Sequence, residues 1–179
     1  MWQAQVFTLY PEVFPGPLSK GLYGKALSKK LWNLNIVNIR DAAEDKHKTV
    51  DDTPYGGGSG MLLKADVLAR SLDQNINEGE KVIYLSPKGK KFDQTYAKQL
   101  SNEKSVSFIC GHFEGVDESF ENGLLEYPQF TKPQIWEEKS VPEVLLSGDH
   151  SKIKDWRLSQ SEAITRVRRP DLWQKYKKN

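Results

Sequence analysis

Four short apolar runs alternate with stretches of helical period over the first 118 residues, and then the alternation stops. The runs are Val6–Leu9, Asn35–Ile39, Val82–Leu85 and Val106–Cys110. Between the first two, Leu18–Trp32 carries apolar residues at 18, 22, 23, 26, 27 and 31, with lysines on the other face. That is the spacing of an amphipathic helix. Met61–Leu72 and Phe92–Leu100 read as two further helices. Strands that alternate with helices predict an α/β domain: a largely parallel sheet with flanking helices. One stretch breaks the rhythm, "RDAAEDKHKTVDDTPYGGGSGM", which has neither a helical nor a strand period. Loops of this length are functional more often than loops at large.

After Glu118 the segment "SFENGLLEYPQFTKPQIWEEKSVPEVLLSGDH" carries three prolines and no period. It reads as a linker, residues 119–148, with Val144–Leu146 as a short strand. Asp149 or Ser151 then caps a last helix, about Ser151–Arg168, with an expected apolar face of Ile153, Trp156, Leu158, Ala163, Ile164 and Val167. The expected organisation is therefore an α/β domain over 1–118, the linker, and a small helical C-terminal unit over 149–179. That last unit is basic: Ser151–Asn179 has nine Lys/Arg and three Asp/Glu, while the whole chain is only +2. A basic tail on a mildly acidic body suits a polyanion partner, or simply a solvated helix face.

At 179 residues the chain is long enough for one domain with a real core. No apolar run approaches the roughly 20 residues that span a bilayer, and "MWQAQVFTLYPEVF" lacks the basic start and long apolar run expected of a signal peptide. The single cysteine, Cys110, excludes an intramolecular disulfide and fits a reducing cytosol. The expected location is cytoplasmic, with no membrane partner.

In a parallel α/β sheet, ligands collect at the carboxyl ends of the strands. Three segments qualify: "DKHKTVDDTPYGGGSGM", "YLSPKGK" and "CGHFEGVDE". The "YGGGSG" run lets a backbone approach a ligand closely, but lacks the Gly-Lys-Ser/Thr ending of a P-loop and the context of a dinucleotide fingerprint. His47, His112 and His150 share no metal-ligand spacing with Cys110, so no metal site is expected. Cys110 reads as buried filler. No Gly-x-Ser-x-Gly elbow supports acyl transfer. Glu114, Asp117 and Glu118 could supply a general base, bind a cation, or simply be solvated.

Seven stretches, in order and spanning nearly the whole chain, resemble the bacterial tRNA (guanine-N1) methyltransferases of the SPOUT superfamily. They are "FTLYPEVF", "NIRDAAEDKHKTVDDTPYGGGSGM", "YLSPKGKKF", "CGHFEGVDE", "GLLEYPQFTKP", "VPEVLLSGDHSKIKDWR" and "RRPDLW". The resemblance implies methyl transfer from S-adenosylmethionine to N1 of the guanine 3′ of the anticodon, position 37, by a homodimer. It implies that Tyr84, Leu85, Ser86 and Pro87 line the adenosine pocket, and that Gly111, Phe113, Glu114 and Gly115 form its second wall. Glu118 stands where the family has its general base, an aspartate. The loop with His47, Lys48, Asp51, Asp52, Tyr55, Gly57 and Gly58 would meet tRNA. Lys154, Arg157, Arg168 and Arg169 of the basic unit would grip its phosphates.

The resemblance also implies a shortage. In the family, the glycine-rich "CGxxEGxDE" leads into several dozen residues that form a trefoil knot and the third wall of the cofactor pocket. Here Glu118 alone separates Asp117 from Ser119. The chain is therefore expected to be unknotted, with cofactor binding and activity weakened or lost. Ser59, His112 and Phe113 are smaller departures, from proline, arginine and tyrosine. Two readings stay open: a methyltransferase that works without the segment, or a catalytically inactive dimeric tRNA-binding relative, natural or engineered.

Overall fold

The structure, a computed structural model, describes residues 1–86, 89, 92–112 and 125–177. In chain order the described elements are β1 (Trp2–Thr8), α1 (Gly21–Ser28), β2 (Trp32–Asn38), β3 (Asp51–Asp52), β4 (Leu62–Leu63), α2 (Ala65–Asn75), β5 (Lys81–Tyr84), α3 (Gln94–Leu100), β6 (Ser105–Ile109), β7 (Ile135–Trp136), β8 (Lys139–Ser140), α4 (Glu143–Leu146), α5 (His150–Arg168) and α6 (Pro170–Tyr176). They fall into two compact units. The first holds residues 1–50, 67–85 and 91–112; the second holds 51–66, 86–90 and 113–179.

The first unit is built on a four-stranded sheet of order β2-β1-β6-β5, all parallel. This is the expected α/β architecture. Paired on both sides, β1 is buried from Ala4 onward. Such a strand should be nearly all apolar, yet Gln5 and Thr8 lie inside it. Both are satisfied. Gln5 Nε2 donates to the Asn75 carbonyl at 2.9 Å, and its Oε1 accepts from Asn35 Nδ2 at 2.9 Å. Thr8 Oγ1 accepts from the Tyr10 amide. Buried Ser107 on β6 donates to the Glu80 carboxylate. Bonding of this kind removes the penalty of burying a polar group. On one face of the sheet, Trp2, Val6, Trp32, Leu34 and Phe108 line an apolar hollow of about 380 Å³.

Several local expectations needed correction. The stretch Leu18–Trp32 is not one helix: a 3-10 turn, Gly16–Ser19, precedes α1, and Trp32 opens β2. Lys30 takes a left-handed φ of 55°, which ends α1 and turns the chain into the strand. Residues Val144–Leu146 lie in the one-turn helix α4, not in a strand.

Outside α5 and α6 the second unit has little regular structure, and that part is tied by side chains. Val141, Leu145 and Ile153 are buried together, with Tyr55, Phe130, Val144 and Trp156 packed against them. Asp149 caps α5, accepting from the Lys152 amide at 3.1 Å. The buried positions of α5 are Ile153, Ser161 and Thr165, whereas Leu158 and Val167 of the expected apolar face are 50% and 76% exposed. The inward row repeats every four residues and includes two polar side chains. Thr165 is fully buried and bonded twice: Oγ1 accepts from the Leu125 amide at 2.7 Å and donates to the Ser161 carbonyl at 2.6 Å. Residues 51–66 belong to this unit through contacts with the later chain. The sequence boundaries at 118/119 and 148/149 run along the chain, whereas the units interleave it.

Candidate functional site

Two groups of expected site residues are described, one in each unit. In the first unit, β5 and β6 are neighbours with Tyr84 paired to Ile109, so their carboxyl ends leave the sheet side by side. The Leu85 amide reaches the Ile109 carbonyl at 3.5 Å, carrying the pairing one residue further. Next come Cys110, Gly111 and His112, the last with its ring edge-on to Tyr10 at 4.9 Å. Partial burial pushes the Cys110 thiol up, away from the reactive thiolate. This is the sheet edge where an α/β fold binds nucleotide-like ligands. It offers apolar surface from Tyr84 and Leu85, but these are 45% and 50% exposed. The described residues expected at an adenosine site thus leave this surface largely open. Ser86 follows in the chain, its carbonyl accepting from the Gly89 amide at 3.0 Å. Pro87, Phe113, Glu114, Gly115 and Glu118 lie outside the described residues.

His47 and Lys48 also belong to the first unit, in an exposed loop with defined shape. Asp45 Oδ2 accepts from the His47 amide, and Oδ1 from the Thr49 amide at 2.8 Å. Hydrogen bonds from Thr49, hydroxyl first, hold the Asp45 carboxyl below its ordinary value. Lys48 has a φ of 55°, and its carbonyl accepts from Arg40 Nη1 at 3.1 Å. Asx turns of this kind order a loop with no periodicity.

In the second unit, the paired β3 and β4 flank the glycine run. Asp52, Tyr55 and Gly57 are fixed from outside the loop. Lys132 Nζ pairs with Asp52 Oδ2 at 3.1 Å, and Oδ1 accepts from the Thr53 amide at 2.8 Å. The Thr53 bond, with Lys132 behind it, lowers the Asp52 carboxyl. The Tyr55 amide donates to the Phe130 carbonyl at 2.7 Å, and Thr131 Oγ1 to the Thr53 carbonyl at 2.9 Å. Arg157 Nη2 donates to the Gly57 carbonyl at 2.6 Å and reaches the Tyr55 carbonyl at 3.4 Å. Its Cζ lies 4.7 Å from the centre of the Tyr127 ring, a cation–π distance. Gly56 has a φ of 79°, and a Cβ there would meet Leu145, Arg157 and Ile153 at 3.1–3.3 Å. Only glycine fits that position without displacing its neighbours.

The expected phosphate grips therefore divide. Lys154 and Arg168 are exposed on α5. Arg157 is turned onto the loop, and Arg169 forms a two-bond fork with Asp171, at 2.9 and 2.7 Å. That fork raises the Arg169 guanidinium and pulls the Asp171 carboxyl down to about 2. Sequence reasoning assigned no role to Gly56, Tyr127, Phe130, Thr131 or Lys132. Four of these lie in or beside "GLLEYPQFTKP", one of the seven stretches that carry the resemblance, which was the available signal.

Among the described residues, no helix is long and apolar enough to cross a membrane. The strand order and pairing define an α/β protein built on a four-stranded parallel sheet with flanking helices. The family profile of the tRNA (guanine-1)-methyltransferase TrmD matches residues 2–119 and 117–175. A tRNA (guanine-N(1)-)-methyltransferase of Pelagibacter ubique is 64% identical over 228 residues, covering 100% of both chains. Proteins of the same name from Bartonella tribocorum and Brucella canis are each 42% identical over 227 residues, with 99% of this chain and 97% and 93% of theirs covered. The chain belongs to the TrmD tRNA (guanine-1)-methyltransferase family. Two features bear on the expected shortage. The profile matches in two pieces that meet at 117–119. The Pelagibacter alignment runs over 228 positions while this chain supplies 179 residues, 49 fewer.

Proposed function

We propose that this protein is a tRNA (guanine37-N1) methyltransferase family member that keeps its tRNA-facing loop but binds S-adenosylmethionine weakly, so that methyl transfer is impaired or lost. Enzymes of this family use S-adenosylmethionine. The observation that carries the reading is the two-piece family match meeting at 117–119, together with the 49-residue deficit. In this reading the missing residues are the knot-forming third wall of the cofactor pocket, and the chain is unknotted. The exposure of Tyr84 and Leu85 supports it, since a wall packed over them would bury both. Each lost buried contact removes about 1 kcal/mol, so several lower affinity by orders of magnitude.

On the tRNA side, Lys154 and Arg168 supply phosphate contacts, and the braced loop from Asp51 to Gly58 presents a fixed surface to the target guanine. Glu118 takes the N1 proton as the methyl arrives. A free carboxylate is far too weak a base for guanine N1, so its placement must assist. The working unit is a homodimer in the cytoplasm. A methylation assay on tRNA with guanine at position 37 tests activity. Turnover should be feeble and vanish in Glu118→Ala; unchanged turnover in that variant removes Glu118 from the mechanism. Tight tRNA binding with no turnover at all favours the tRNA-binding relative, for which the deficit is the supporting observation.

A further inference from the structure

We propose that Arg157 is a positioning residue that holds the Tyr55–Gly57 turn in its recognition geometry, not a phosphate-gripping cation. The proposal rests on the reading above that this loop meets the target guanine. A basic residue on a basic helix would ordinarily face solvent and polyanion. Arg157 instead faces the glycine run, about 100 residues earlier in the chain. One Nη2 serves two carbonyls of the turn, at 2.6 and 3.4 Å, and the guanidinium plane is backed by the Tyr127 ring.

The turn is shaped to receive this group. Gly56 brings its backbone so close that a Cβ would lie 3.2 Å from Arg157 Nη2. The Phe130 carbonyl fixes the other side of the turn through the Tyr55 amide. Arg157 is also a poor choice if stability alone were served. Among the described residues its Nε is buried with no hydrogen-bond partner, a loss that a well-packed apolar side chain would avoid. What arginine adds is a rigid plane that holds Nη2 between two backbone carbonyls while its face lies against Tyr127. Lysine cannot reproduce that plane or its stack on Tyr127. Because Nη2 is engaged inside the protein and not on a phosphate, Arg157 displaces no counterion from tRNA on binding.

That last point separates the proposal from the phosphate-grip alternative. The full-length chain and its Arg157→Met, Arg157→Lys and Lys154→Ala variants are compared by tRNA affinity across a salt series. Guanine and adenine at position 37 are tested side by side, with hydrogen exchange followed at Tyr55–Gly58. Lys154→Ala should lower the salt slope by about one and leave the turn's exchange unchanged. Arg157→Met should leave the slope unchanged, speed exchange at the turn about tenfold or more, and shrink the preference for guanine. Arg157→Lys should behave like the Met variant, because charge alone does not replace the guanidinium plane that holds Nη2 against both carbonyls. The proposal is overturned if Arg157→Lys keeps both the slow exchange and the guanine preference. It is equally overturned if Arg157→Met lowers the slope by about one with exchange unaltered. If the unsubstituted chain binds no tRNA, the functional reading falls by itself. Exchange then decides alone: unaltered exchange in both Arg157 variants overturns the hold on the turn.

Discussion

The glycine-rich loop after β3 and the carboxyl ends of β5 and β6 are held in opposite ways. The loop has scarcely any regular structure, yet Lys132, Thr131, Phe130 and Arg157 each fix it at a named atom. The ends of β5 and β6 grow out of regular parallel pairing, yet Tyr84 and Leu85 at the end of β5 stand half in solvent. Regular backbone thus does not make a complete site. A loop can be preorganised by a handful of side-chain bonds, whereas a cofactor pocket needs cover on several sides to remove its ligand from water.

The comparison breaks first at the core of the second unit. Ile153→Ala should cost about 2–5 kcal/mol and loosen the loop with it, because Ile153 packs against Gly56 and the Leu145 cluster. Denaturant melts and hydrogen exchange at 51–58 measure both effects. Thr165→Val keeps the volume but strands the Leu125 amide, and should cost about 1–3 kcal/mol by the same melts. Tyr84→Ala sharpens the other side. At 45% exposure it should cost only about 1 kcal/mol, against about 3–5 for a buried aromatic. A core-sized loss would show that β5 is better covered than its surface suggests.

The smallest effect is Lys132→Ala, about 0.2–1 kcal/mol for a surface pair. Its pH dependence has a definite sign. The Thr53 amide and then Lys132 favour the charged Asp52, so the folded carboxyl lies below the ordinary 3.8. That stabilisation is complete above the unfolded value and is lost as pH falls through the lower folded value. The difference between the original chain and Lys132→Ala should therefore persist at neutral pH and disappear in acid.

The sheet was legible because a buried parallel strand leaves a compact apolar run, as in Val106–Cys110. The start of β1 was not, because Gln3 and Gln5 break the run and only Asn35 and Asn75 show why Gln5 lies inside. The β7–β8 hairpin escaped for a different reason. Its turn places Glu137 and Glu138 at φ of 47° and 62°, positions that usually announce themselves by Asn or Gly. Of the expected site residues, Tyr84, Leu85 and Gly111 were placed at the carboxyl ends of strands by the strand pattern, and their roles by the resemblance. Arg157 was readable only as a charge, since its partners lie about 100 residues away and are backbone carbonyls that any sequence would supply.

Calorimetric titration of the intact chain with S-adenosylmethionine tests the proposed curtailment of the pocket most directly. The predicted result is heat too weak to saturate at micromolar cofactor. Saturable binding in the low-micromolar range would contradict it, and would mean that the residues present build a complete pocket by themselves.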